Sequence, residues 1–303
     1  MNKDMLRTVE SVLAYIEVHL TQKIQLDELA VIAHLSKYHL HRLLSHAVSQ
    51  PLMHYIRARK LSASIELLLE PRYNVLEVCT CFAFEHEQSY IRAFKKQFGL
   101  TPAQFRRSRP ELKLTEKADL SHLTEVHEGI LFKPTVKFLP ELPLVGVRHN
   151  MTKHENDLDY QGIRVGNHFI THHQHHVKHA VRRHVLIVLS QYSWTEEGLT
   201  SYIPSVQVPS VTDIPEGMEL NIMPAGKYLV LTYIGTVQSR NLTAQHLEPI
   251  WKYIANYVSL NNPSVFQSAP FHYKSINEQI SNQNYCEVEY YFPVKSLPAM
   301  ALR

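Results

Sequence analysis

Two stretches of this 303-residue chain carry side chains suited to reading the edge of a base pair. In residues 36–48, SKYHLHRLLSHAV, Leu40, Leu43 and Leu44 recur at helical spacing and share an inward face, leaving Lys37, Tyr38, His41, Arg42 and Ser45 outward. In residues 86–98, HEQSYIRAFKKQF, the inward set is Tyr90, Ile91, Phe94 and Phe98, and the outward set is Glu87, Gln88, Ser89, Arg92, Lys95 and Lys96. Arginine donates paired hydrogen bonds to guanine O6 and N7, glutamine pairs with adenine, and glutamate accepts from cytosine N4. Lys37, Lys95 and Lys96 suit phosphates, which need a point charge rather than a fork. A charged outer face is common to all amphipathic helices, so one such helix decides little. Two in tandem favour double-stranded DNA as the partner.

A second kind of chemistry sits at the other end. In residues 286–294, CEVEYYFPV, alternation puts Glu287, Glu289 and Tyr291 on one face and Val288, Tyr290 and Phe292 on the other. A carboxylate among aromatic rings holds a cation by charge and by cation-π attraction. A third candidate is the histidine-rich run His168, His172, His173, His175, His176, His179 and His184. If it is helical, His172/His176 and His175/His179 lie one turn apart and suit zinc or copper. No carboxylate or thiol is evident nearby as a further ligand, so no metal or cofactor is expected, and a sensor of metal or acidity stays an alternative. Cys79, Cys81 and Cys286 form no metal-binding spacing and read as buried free thiols.

The elements needed to hold these groups are legible around them. From Met5 to Phe105 apolar residues return every three or four positions. Ser36 caps the first candidate reading helix, Pro51 opens a long helix over 52–69 that Glu70-Pro71 stops, and Gly99 ends the second reading helix. Each reading helix follows a short one, over 26–33 and 75–82, so two helix-turn-helix units flank a connector. From residue 134 onward prolines and β-rich runs take over, with strands expected at 136–149, 184–192, 202–208, 227–235, 271–275 and 286–294. Helices are expected within 157–180 and over 242–258. The fold class is therefore multidomain: an all-α double helix-turn-helix domain (1–109), a linker (110–133) and an α+β domain of two βαββ repeats (134–303).

Charge divides along the same line. Residues 1–110 hold 15 Lys+Arg against 10 Asp+Glu, and the remainder 16 against 18. The basic excess lies where a nucleic-acid footprint requires it. No apolar run is long enough to span a membrane, and the first residues lack a signal-peptide cleavage site, so a cytoplasmic location is expected.

The blocks LDELAVIAHLSKYHLHRLL, YIRARKL and FEHEQSYIRAFKKQFGLTPAQFRRS resemble consecutive signatures of the AraC/XylS family of transcription regulators, over about 90 residues. The resemblance implies that two recognition helices enter successive major-groove segments, with Tyr38, His41 and Arg42 as the first reading set and Glu87, Gln88, Ser89 and Arg92 as the second. It also implies RNA polymerase as a partner. Three positions depart from the family. His34 and Ala83 stand where the turns often have glycine, so the second turn is expected to be tighter or differently shaped. Glu87 replaces a glutamine of close relatives and His41 another frequent glutamine, so the operator should differ. Arg57, Arg59 and Lys60 on the connector, and Arg106 and Arg107 beyond, suit either DNA backbone contact or internal pinning and capping.

The runs KFLPELPLVGVRHNMT, YIPSVQV, PAGKYLVLTYIG and CEVEYYFPV, in that order, resemble a GyrI-like effector-binding domain. That implies a groove between helices and sheet that takes a small cationic or aromatic effector. Glu289 matches the family's pocket carboxylate, with Tyr291 beside it and Trp251, Tyr192, Trp194, Tyr228 and Tyr233 as candidate walls. Some such domains hydrolyse small reactive compounds, so a hydrolase with Glu289 as general base is the enzymatic alternative; the leading expectation is a non-enzymatic regulator.

Overall fold

The computed structural model describes residues 5–152, 161–192, 199–209, 213–261 and 270–294. The chain divides into two compact units, Leu6–His122 and, in the main, Leu123–Arg303.

The first unit is helical: α1 (Met5–Val18), α2 (Leu26–Ala33), α3 (Lys37–Ala47), α4 (Leu52–Leu69), α5 (Val75–Cys81), α6 (Glu87–Phe98) and α7 (Pro102–Ser108). Ser36 accepts a hydrogen bond from the His39 amide at the start of α3, and Asn74 and Thr101 close reciprocal capping boxes with Glu77 and Gln104. One core joins the second half of α4 to α5, α6 and α7 through Leu61, Ile65, Leu68, Val78, Phe82, Tyr90, Phe94 and Phe105.

Helix α4 is buried on much of its surface, and its polar residues serve the interior. Arg59 forms a two-pronged pair with Glu17 (Nη2 to Oε2, 2.7 Å; Nε to Oε1, 2.9 Å). Lys60, 7% exposed, donates to the carbonyls of Gln22 at 2.6 Å and Phe82 at 3.1 Å. Arg106 donates to the carbonyls of Leu68, in the last turn of α4, and Tyr73, just beyond it. Of the two readings open for these cations, internal pinning holds for Arg59, Lys60 and Arg106.

Among the described residues, the second unit is one antiparallel sheet with two α-helices on it. Its strands are β1 (Leu123–Val126), β2 (Gly129–Phe132), β3 (Thr135–Leu139), β4 (Leu142–Gly146), β5 (His149–Thr152), β6 (Val185–Tyr192), β7 (Leu199–Gln207), β8 (Glu219–Met223), β9 (Gly226–Gly235), β10 (Phe271–Asn277) and β11 (Cys286–Pro293); its helices are α8 (Gln161–His172) and α9 (Ala244–Asn261). The order is β1-β2-β9-β11-β10-β6-β7-β4-β8, with β3 also on β9 and β5 on β7. The two βαββ repeats are β5-α8-β6-β7 and β9-α9-β10-β11, and in each the last strand pairs with both others. They meet along β6 and β10, in register from Phe271↔Gln191 to Asn277↔Val185.

The run 136–149, expected as one strand, is three. Pro140 has no amide to donate, and the chain changes partner there: β3 pairs with β9, whereas β4 pairs with β7 and β8 and β5 with β7. The stretch 110–133 is not free linker. Thr115 donates to Ser62 Oγ and Ala118 to the Tyr55 hydroxyl, both on α4, and β1 and β2 form a hairpin whose second strand lies on β9.

Alternation along the strands gives the sheet two apolar faces. Val188, Leu231, Tyr233, Val288, Tyr290 and Phe292 pack with Phe169 of α8 and Ile250 and Ile254 of α9. Ile187, Leu189, Ile203, Tyr228, Val230 and Tyr273 form a second core on the opposite face.

Candidate nucleic-acid interface and ligand site

The two helix-turn-helix units repeat one backbone design. After α2, His34 takes a left-handed φ of 52° and the Leu35 amide reaches back to the Ala30 carbonyl at 3.1 Å. After α5, Ala83 takes φ 54° and the Phe84 amide reaches the Cys79 carbonyl at 3.1 Å. The left-handed residue and its backbone hydrogen bond are repeated, but the second turn is not tighter; it is longer and so differently shaped, with residues 82–86 joining α5 to α6 against 34–36 joining α2 to α3. Histidine and alanine accept the left-handed conformation there, at a cost of roughly 1–2 kcal/mol.

Each turn aims a helix. On α3, His39, Leu40, Leu43, Leu44 and Ala47 are buried, Tyr38 is 52% exposed, and His41 and Arg42 are half-buried. The Arg42 guanidinium lies over the Tyr38 ring, 5.8 Å from its centre, so the arginine is pre-ordered at the surface. His41, Arg42, Ser45, His46, Gln50 and Pro51 line a depression of about 350 Å³ beside this helix. Lys37 pairs with Asp27 at 2.6 Å in full solvent, a contact that phosphate can displace.

On α6, Tyr90 and Phe94 are buried; Tyr90 shares a 2.8 Å hydrogen bond with Ser64 of α4, and burial pushes its hydroxyl up to about 12. Gln88, Arg92, Lys95 and Lys96 are exposed, and Glu87 and Ser89 half-buried. Arg92 Nε donates to the Gln88 carbonyl at 3.2 Å, which leans the guanidinium along the helix toward its N-terminus.

The residues proposed for an effector divide between the two faces of the sheet. Trp251, 38% exposed on α9, lies on the helix-covered face, its ring edge-on to His272 (4.9 Å), Tyr290 (6.1 Å) and Phe292 (6.1 Å). The Tyr290 hydroxyl there is buried and has no hydrogen-bond partner among the described residues. Tyr233 is core on this face, filling the space over Gly129 and Gly235, where a Cβ would strike its ring. Glu289, Tyr291 and Tyr228 lie on the opposite face. Tyr291 donates to Glu289 Oε2 at 2.7 Å and stacks on Tyr273 at 4.5 Å; Tyr228 is buried and donates to the Pro224 carbonyl. Burial, then Glu289, holds the Tyr291 hydroxyl far above its ordinary pKa, so it stays a donor. Trp194 and the side chain of Tyr192 lie outside the described residues.

Lys137 of β3, which the sequence reading did not single out, stands 3.6 Å from Glu289 Oε1. The carboxylate is 27% exposed, so a cationic ligand can reach it by displacing a flexible lysine. The arrangement suits a cation with an aromatic or apolar body on the Tyr291–Tyr273 stack.

The histidine-rich run does not form one helix. Helix α8 ends at His172, and His175 and His176 lie in a short 3-10 turn, because Arg183 draws the carbonyls of Gln174, His175, Val177 and Lys178 to itself. The pairs His172/His176 and His175/His179 therefore do not sit on successive helical turns. His168 and His172 stack at 4.2 Å instead, and burial lowers the pKa of His149 on β5 and of His173. Among the described residues, the compact set able to hold a metal is elsewhere: His127, Glu128 and His246.

Comparison with known proteins adds the following. A family profile described as a GyrI-like small molecule binding domain matches residues 132–295, and one described as a helix-turn-helix domain matches residues 29–108. The Right origin-binding protein of Escherichia coli K12 is 34% identical over 154 residues, 48% of each chain. Transcriptional regulator Rob of Salmonella typhimurium is 37% identical over 121 residues, 37% of this chain and 42% of its own. HTH-type transcriptional activator AarP of Providencia stuartii is 30% identical over 100 residues, 33% of this chain and 74% of its own. The chain spans about half the length of the first two relatives.

Proposed function

We infer that this chain, which belongs to the GyrI-like small molecule binding domain family and carries an AraC-type helix-turn-helix domain, is a transcription regulator that binds double-stranded DNA and answers to a small cationic or aromatic effector. The observation that supports the reading is the repeated left-handed turn at His34 and Ala83, each followed by a helix on which, counted from the N-caps Ser36 and His86, Tyr38 and Arg42 correspond to Gln88 and Arg92. In this reading Arg42 and Arg92 read guanine, Gln88 and Glu87 select adenine and cytosine, and Lys37, Lys95 and Lys96 take phosphates. Effector binding changes the populations of domain arrangements and so promoter occupancy or contact with RNA polymerase, which requires that the effector prefer one arrangement. Glu289 and Tyr291 form the core of the effector site; Trp251 and Tyr290 contribute from the helix-covered face to a separate apolar surface.

The relatives' names as regulators support a non-catalytic role, and among the described residues the groups at hydrogen-bonding or ion-pairing distance from Glu289 are the Tyr291 hydroxyl and the Lys137 ammonium, neither of them a nucleophile poised for hydrolysis. A DNA-bound role places the protein in the cytoplasm; no described helix is long and apolar enough to cross a membrane.

The test is genomic footprinting followed by binding to the recovered site. Arg42→Ala and Arg92→Ala each cost about 1–3 kcal/mol, each at its own base pair. Added tetraphenylphosphonium shifts the wild-type affinity and leaves Glu289→Gln unmoved. Unchanged affinity in both arginine variants refutes the reading sets.

A further inference from the structure

We propose that His127, Glu128 and His246 form a binding site for a divalent transition-metal ion of the zinc class. His127 and Glu128 are the two turn residues of the β1–β2 hairpin, which closes at Val126↔Gly129, and His246 stands in the first turn of α9. The carboxylate Oε2 of Glu128 lies 2.9 Å from His246 Nε2 and 4.0 Å from His127 Nε2, and one ligand atom from each residue falls within 4.8 Å of the others. Two imidazoles and a carboxylate are the donor set that zinc and its neighbours prefer, with ligand atoms at about 2.0–2.2 Å from the ion. Tetrahedral ligands at that radius stand roughly 3.3 Å apart, so the present spacing needs only small side-chain rotations.

Three features make this a built site rather than a chance cluster. Glu128 has φ 51°, a left-handed conformation in which glycine or asparagine costs less, yet this turn carries a carboxylate. Its backbone is fastened from beneath: the Glu128 carbonyl accepts from the Thr236 amide at 2.8 Å and the Tyr233 hydroxyl at 3.4 Å. His246, 4% exposed, is oriented by Thr243, whose hydroxyl lies 2.8 Å from Nδ1. The Thr243 amide donates to the same Nδ1 at 3.0 Å, so Nε2 carries the proton and donates to Glu128 Oε2. An ion at Nε2 takes that proton's place, the ring changes tautomer, and Nδ1–H then donates to the Thr243 hydroxyl, the outer-shell contact that fixes a metal-binding histidine. His127 is exposed, which leaves a side open for water as a further ligand.

Cobalt(II) titrated into the full-length protein tests this. Binding of one equivalent with the intense visible bands of a four- or five-coordinate ion, displaced by one equivalent of zinc, is expected. His127→Gln, at an exposed position that leaves folding intact, and Glu128→Gln each weaken cobalt binding at least tenfold, and Thr243→Val by about 10–100-fold. Replacing His172, His173, His175 and His176 together by alanine leaves the bands unchanged. The proposal fails if micromolar cobalt gives no such bands, if they persist at full affinity in His127→Gln and Glu128→Gln, or if they vanish when the histidine-rich run is changed.

Discussion

Lys60 is one point where the two helix-turn-helix units are tied, and Lys60→Met measures that tie. The ammonium is 7% exposed on α4 and bridges the Gln22 carbonyl, just ahead of α2, to the Phe82 carbonyl at the end of α5. Methionine keeps the stem and its packing while deleting the donor. A hydrogen bond from a charged group contributes about 1.5–3 kcal/mol net, and two are lost. Two effects reduce the sum. Gln22 is at an exposed position, so water replaces the lysine at its carbonyl, whereas the Phe82 side is buried. Burial also lowers the pKa of Lys60, which means that the ammonium bears a desolvation cost that methionine does not. A loss of about 2–3 kcal/mol follows, a large share of the 5–15 kcal/mol by which a domain is stable. Urea unfolding followed by far-UV circular dichroism reads it, because most of the described helix lies in the first unit, while both tryptophans, Trp194 and Trp251, report on the second. Affinity for a two-half-site operator should fall more than affinity for either half alone. A stability change under about 0.5 kcal/mol with an unaltered footprint would refute the bridging role.

Relief of the strained turns gives a second prediction: Ala83→Gly removes about 1–2 kcal/mol of left-handed strain and adds about 0.4–1 kcal/mol of unfolded-state entropy, so the melting temperature rises modestly, and a fall counts against the turn geometry. Acid sensitivity of the second unit gives a third. Burial lowers the His272 pKa to about 3 from 6.5, so the unfolded chain binds the extra proton between those values and stability, complete above pH 6.5, drains away as pH falls. From pH 7 to pH 5 the loss is about 2 kcal/mol from this group, with His149 and His173 acting in the same direction. Urea unfolding followed by tryptophan fluorescence should show the slope in the wild type and a flatter one in His272→Phe; equal slopes would be inconsistent with a neutral buried imidazole.

What the sequence made legible was local. Ser36, Pro51 and Gly99 bound their helices as read, because a cap, a missing amide and a left-handed residue each act within a few positions. Strands β9 and β11 were legible because both are long and rich in branched and aromatic residues. Strands β1, β2 and β8 were not: they are short, and their pairing partners lie elsewhere in the chain, β9 for β2 and β4 for β8. The division of the candidate effector residues between two faces was hidden for a related reason. Alternation states that Glu289 and Tyr291 share a face and Tyr290 and Phe292 the other, but not which face α9 covers. That is decided by how the helix crosses the sheet, and it separates Trp251 from Glu289. Lys137 is likewise invisible beside Glu289 until β3 is laid on β9.

The strand order also sets a timetable for a chain emerging from the ribosome. The helical unit is built from residues up to His122, so it can assemble as soon as that stretch is free. The sheet cannot. The β1–β2 hairpin and β3 have no place in the sheet until β9 appears roughly a hundred residues later, and β6 stays unpaired on one side until β10 is made. The nascent protein therefore completes its helix-turn-helix half first, and for the interval before β9–β11 close the sheet it presents that half without a finished second unit.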